Sequence, residues 1–210
     1  MKKTITITIV LMVIFSCGRD KEKEKEPGLF DLIEGVSDLK KVAKEAEKIE
    51  EENDKLLKAT PISKDELKAL LPETILGRSR KKFSIGNQFM PDMNMAEAEY
   101  EDEEGAIISF SIIDGAGETG SAMITLARLG FSRDFEEQTD WGFRKSTTIQ
   151  GYKAVEEIER NQYDDSENSK IELLIANRFM VSLEGERVSI NQLKKAVDEI
   201  NLKTLERKAN

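Results

Sequence analysis

The stretch "IIDGAGETGSAMI", Ile112 to Ile124, decides between two folds. Gly115, Gly117 and Gly120 match the G-x-G-x-x-G spacing with which a strand–turn–helix unit cradles a pyrophosphate. That reading requires a parallel strand, apolar on both faces, before the glycines. It also requires an acidic residue closing a second strand about 20 residues later. The residues before the glycines, "AEAEYEDEEGAIISFSI", alternate instead. Ala96, Ala98 and Tyr100 fall on one face and Glu97, Glu99 and Glu101 on the other, while Ile108, Phe110 and Ile112 oppose Ser109 and Ser111. This is the pattern of a half-solvated antiparallel hairpin. Where the acid should close a strand, "DFEEQTDWG" offers no apolar strand to carry it. The glycines therefore read as a turn, with Thr119 or Ser121 capping the next helix, and no cofactor is implied.

Outward from the hairpin, "SAMITLARLGF" reads as a helix with Met123, Leu126 and Leu129 at core spacing and Gly130 as its stop. Upstream, "KKFSIGN" is a first strand. Ser63 and Glu66 make a capping box for a short helix closed by Pro72. Downstream, "FRKSTTI" and "YKAVEEIER" flank a Gln150-Gly151 turn, and "KIELLIA" and "FMVSLEGE" flank Asn177-Arg178. Ser189 and Gln192 cap a last helix whose Ile190, Leu193, Val197 and Ile200 form one stripe. Hairpins in series with helices between them give an α+β class. The expected architecture is an antiparallel sheet of about six to seven strands with helices packed on it, preceded by a long N-terminal helix. The order of strands, helix, meander and closing helix "EINLKTL" resembles the PsbP-like extrinsic photosystem proteins, a likeness that bears on fold only.

The N-terminus reads "MKKTITITIVLMVIFSC". Lys2 and Lys3 precede an apolar run shorter than the roughly 20 residues of a membrane span, the arrangement of an export signal. Ile14-Phe15-Ser16-Cys17 resembles the bacterial lipobox, with a bulky Phe15 in its middle position. The resemblance implies that residues 1–16 are a signal peptide and that Cys17 becomes the acylated first residue of a membrane-anchored lipoprotein. Gly18, in place of an inner-membrane aspartate, favours the outer membrane. Residues 17–28, with "GRDKEKEKEPG", form a charged tether. In 29–59, Leu32, Leu39, Ala46 and Asn53 alternate with Gly35, Val42, Ile49 and Leu56 as an a/d seam of about four heptads. That segment is read either as a lone amphipathic helix or as a coiled-coil stalk for a homo-oligomer. Residues 60–210 form the globular domain.

Function is constrained mostly by what is missing. The chain has no histidine and one cysteine, the lipobox residue, which removes imidazole and thiol catalysis and the usual zinc ligand sets. Its net charge is −9, and −11 once a leader carrying Lys2 and Lys3 is removed, which argues against nucleic acid as a partner. "YDDSENS", with Asp164, Asp165, Glu167 and Asn168, lacks the ligand spacing of a calcium loop. Two features stand out as candidate contacts for an envelope protein or anionic ligand: Arg78, Arg80, Lys81 and Lys82 in "GRSRKKF", and Trp141 in "DWGFR". The expected function is a non-enzymatic binding or assembly role at the cell envelope. The alternatives are a carboxylate-dependent hydrolase of envelope material, using acids such as Glu97, Glu99, Glu101, Glu156 and Glu159, or a carrier of an apolar ligand.

Overall fold

Period-two alternation recurs in segments between residues 78 and 186 and builds a single large sheet. This computed structural model describes residues 44, 47–163 and 166–209. Helix α1 covers residues 47–58. The elements that follow are α2 (Lys64–Ala69), β1 (Thr74–Ile75), β2 (Arg78–Ile85), β3 (Asn94–Glu101), β4 (Ile107–Asp114), α3 (Glu118–Phe131), β5 (Glu136–Thr139), β6 (Gly142–Ile149), β7 (Tyr152–Arg160), β8 (Glu167–Ile175), β9 (Phe179–Glu186), α4 (Ile190–Glu199) and α5 (Leu202–Lys208). The strands lie in the order β1-β2-β3-β4-β9-β8-β7-β6-β5. Two meanders, β1 to β4 and β5 to β9, are thus joined where β4 pairs antiparallel with β9.

One face of this sheet carries the main core. Ala98, Tyr100, Phe110, Ile171, Leu173, Val181 and Leu183 pack there with Leu67 of α2, Leu193 and Val197 of α4 and Leu205 of α5. The capping boxes at Ser63–Glu66 and Ser189–Gln192 both form and set where α2 and α4 begin. On the other face, Val155 and Leu174 pack with Leu56 of α1 and with Ile124 and Phe131 of α3. Met95, Ile113 and Met180 extend an apolar patch on that face, and beyond it the face is polar. Register places Lys82, Glu99, Ser109, Glu184, Lys170, Glu157 and Arg144 side by side across seven adjacent strands.

The expected six to seven strands and long N-terminal helix are corrected. There are nine strands in one antiparallel sheet, and among the described residues it is preceded by the short helices α1 and α2. The two extra strands are β1, two residues long, and β5, whose four residues are all exposed. Neither is long or apolar enough to show a period-two signal. The seam residues of α1 are spent on the domain. Leu56 is buried, Asn53 Oδ1 accepts from Thr125 Oγ1 at 3.1 Å, and Glu52 pairs with Arg128 at 3.3 Å. The leader, Cys17, the tether and the heptads before residue 44 lie outside the described residues, as do Asp164 and Asp165.

The buried face of α3 also differs from expectation. Leu126 and Leu129 are 66% and 51% exposed, whereas Ile124, Arg128 and Phe131 face inward and the helix runs through Gly130 to Phe131. Arg128 decides the rotation, because its guanidinium reaches Glu52 and the carbonyl of Asn177. The β8–β9 turn is likewise one residue earlier than expected, with Ala176 and Asn177 at positive φ. Arg178 is thereby free to point into the fold.

Candidate functional site

The glycine stretch lies where β4 passes into α3, and each glycine answers to packing or to backbone conformation. A Cβ on Gly115 would stand 2.4 Å from the Ile124 side chain, and one on Gly120 would stand 2.5 Å from the Asp114 carbonyl oxygen. Gly117 is the N-cap of α3 with φ +85° and makes no side-chain cap, so neither Thr119 nor Ser121 caps this helix. The Gly117 N–H donates to the Leu56 carbonyl at 3.0 Å. The end of α1 thus already occupies the helix N-terminus where a phosphate would sit. With β4 antiparallel to both its neighbours, the geometry is not that of a dinucleotide site.

Asp114, next to these glycines, is the centre of a buried clasp. Its carboxylate is fully buried and accepts from Arg178 Nε at 2.7 Å and Nη2 at 2.9 Å, and from the N–H groups of Ile62 and Ala116 at 2.9 and 3.0 Å. Arg178 donates further to the carbonyls of Thr60 and Lys208. The other buried carboxylate among the described residues, Glu156, is paired with Lys194 of α4 at 2.5 Å. Glu156 lies on the core face, opposite to Glu157 and Glu159. Three open-face carboxylates are also engaged: Glu99 pairs with Lys82 at 2.7 Å, Glu184 with Lys170 at 2.9 Å, and Glu157 with Arg144 at 3.3 Å. Glu167 and Asn168 serve as caps for the backbone, accepting from Ile190 and Arg187.

The four cations of residues 78–82 lie on β2, but the strand splits them. Arg78 pairs with Asp102 at 2.7 Å, and Arg80 pairs with Glu73 at 2.5 Å while also donating to the carbonyls of Leu71 and Pro72. Lys82 sits on the open face, where its hydrogen bond to Glu99 holds the ammonium above its ordinary range. Lys81 is the extra residue of a bulge between Arg80 and Lys82. It is exposed and has no polar partner among the described residues. Beside Arg80, Tyr100 donates to the Pro72 carbonyl at 2.8 Å, and burial pushes its phenol up to about 12.

β2 is nonetheless an accessible margin of the sheet, as is the exposed β5 at the opposite edge. β1 covers only Arg78 and Ser79, so the outer edge of residues 81–85 has no strand partner among the described residues. Phe83, 43% exposed, lies there with Lys68 of α2 and Arg80 at 5.1 and 5.2 Å from its ring centre. A groove of about 590 Å³ follows at the end of the strand, lined by Lys64, Ile85, Asn87, Phe89, Met93 and Met95 among others. Phe89 at its rim is 84% exposed.

Trp141 is 49% exposed in the β5–β6 turn. Six strand spacings separate β2 from β6, about 29 Å at roughly 4.8 Å each. The two candidate contacts, Arg78–Lys82 and Trp141, therefore lie far apart along the sheet. The aromatic neighbour of these cations is Phe83, visible in the sequence as an apolar residue in a charged strand, while Phe89 lies beyond it at the groove rim. No protein-family model matches this chain and no curated protein is similar to it in sequence, so the class is defined by architecture alone, a nine-stranded antiparallel sheet domain with an open β2 margin.

Proposed function

We propose that this chain is a lipid-anchored protein of a bacterial envelope, held in the outer membrane through acylated Cys17, whose sheet domain is a non-enzymatic binding or assembly module. Its partner is an envelope protein that lays an acidic, extended segment along the outer edge of β2. The observation that carries the binding half is that open edge over residues 81–85, flanked by Phe83 and Phe89. An added strand gains its affinity from main-chain hydrogen bonds and its specificity from side-chain pockets. Lys81 and the bulge blunt the edge against indiscriminate pairing. With Lys64 and Lys68 nearby, Lys81 also selects an acidic strand on a chain that is otherwise negative. The ordered lipobox supports the anchor.

A photo-crosslinking residue placed at Lys81 in native membranes should capture a partner through an acidic peptide, while one at Trp141 should not. Phe83→Ser with Lys81 intact should lower the yield about fivefold, as expected for loss of about 1 kcal/mol, and added salt should lower it further. Equal capture from both positions, or capture through a basic or helical peptide, would refute edge recognition. The anchor is tested separately. Two acyl chains hold a protein stably where one holds it marginally. Cys17→Ser should therefore move the chain from the membrane pellet to the soluble fraction, and membrane retention of that variant would end the anchor reading.

A further inference from the structure

Five of the seven methionines in the sequence, all of those beyond the leader, fall in or beside one small region. Met90, Met93 and Met95 come in quick succession from the β2–β3 loop into β3. Met93 and Met95, only 3% and 6% exposed, pack with Ile113, and Met123 of α3 and Met180 of β9 pack against the same cluster. Register explains the convergence, since Met95 pairs with Ile113 and Ile113 with Met180 across three adjacent strands. An ordinary core patch would be filled by Leu or Ile, whose rotamers are better defined; methionine adds a polarisable sulfur.

Two further observations point outward from this cluster. Met93 and Met95 both line the groove of about 590 Å³ beyond β2, so the cluster borders a path to solvent. The Asn87 side chain is fixed there: its Oδ1 accepts from the N–H groups of Phe89 and Met90 at 2.8 and 3.1 Å. Its Nδ2 then donates to Met95 Sδ at 3.5 Å, which shows a sulfur lone pair turned to a polar neighbour at the groove wall. The chain offers a soft cation no histidine, and its one cysteine lies far away in sequence. We infer that Met93 and Met95, with Met123 or Met180 as third ligand, form a thioether site for a soft monovalent cation, Cu(I), entered through this groove. Thioethers suit Cu(I) because both partners are polarisable and the ion accepts few ligands. The ligands are neutral, so the complex keeps a positive charge, which Glu97 on the groove wall and the acidic chain favour.

A thioether site has one property that imidazole and thiolate sites lack. It carries no proton to lose, so affinity should stay level between about pH 5 and pH 8, where those other ligands titrate. The test uses the full chain carrying Cys17→Ser, which removes the thiol, with carbon-13-labelled methionine methyl groups and Ag(I) as a probe that does not change oxidation state. The Met93 and Met95 methyl signals should shift together and saturate at one ion per chain, equally at both pH values. Met93→Leu with Met95→Leu should lower affinity by at least about 100-fold, more than loss of an outer-shell partner does. That variant should still fold, because Met-to-Leu exchange conserves volume. The site is refuted if no methyl signal moves in excess Ag(I), if only the exposed Met90 responds, or if the double variant titrates like the parent. The methyl shifts of the Cys17→Ser parent decide the matter even if the double variant misfolds.

Discussion

Asp114→Ala should be the most destabilising single change in this domain, lowering the unfolding free energy by about 3–5 kcal/mol. Removing the carboxylate leaves Arg178 buried and unpaired, with 8% of its side chain exposed, and strips acceptors from the Ile62 and Ala116 N–H groups. A small domain has roughly 5–15 kcal/mol in total, so the variant should be marginal at room temperature. Urea unfolding should show the midpoint falling while the slope is kept. The Ile62 amide should also lose hydrogen-exchange protection.

The two partners act as a unit, so the double change Asp114→Ala with Arg178→Ala should cost far less than the sum of the singles. Once the carboxylate is gone, the guanidinium is itself the liability. Additive effects, or an Asp114→Ala cost below about 1 kcal/mol, would mean the clasp is solvated and does not hold Thr60 and Lys208 to the sheet. Because Arg178 bonds both those carbonyls, the segment before α2 and the end of α5 should loosen together in either variant.

Local signals in this sequence were readable wherever one short-range rule decided the outcome. The alternation of Ile108, Phe110 and Ile112 against Ser109 and Ser111 gives β4 its two faces, and Ser63 and Ser189 cap their helices as their spacing requires. What could not be read depends on partners distant in the chain. β5 exists because residues 136–139 pair with β6, although none of the four is buried. The turn of α3 that exposes Leu126 follows from Arg128 reaching Glu52 and Asn177, 76 and 49 residues away. The basic residues illustrate the same limit, since Arg78, Arg80 and Lys82 form a patch in sequence while each finds its own carboxylate in space. The methionines at 90, 93 and 95 carry no short-range signal of their own, and only the fold brings Met123 and Met180 to them.

Gly120 and Gly130 lie in the same helix, and the same substitution should move stability in opposite directions at the two sites. Alanine is preferred over glycine inside a helix by about 1 kcal/mol, so propensity alone would make both changes stabilising. At Gly130 the new Cβ meets nothing within 4 Å, and Gly130→Ala should stabilise by about 0.5–1 kcal/mol. At Gly120 the Cβ would lie 2.5 Å from the Asp114 carbonyl oxygen and 2.9 Å from the Gly115 carbonyl carbon. Both are backbone atoms of the turn that carries the buried clasp, so they cannot swing aside as a flexible side chain would. Overpacking of this kind costs about 1–3 kcal/mol, and here the upper end applies, because displacing the turn also strains the Asp114–Arg178 geometry. Thermal or urea unfolding of the two single variants beside the parent separates the outcomes. If Gly120→Ala is as stable as the parent, α3 does not approach the turn as closely as the structure has it. In that case the packing account of this glycine, and with it the structural answer to the G-x-G-x-x-G spacing, fails.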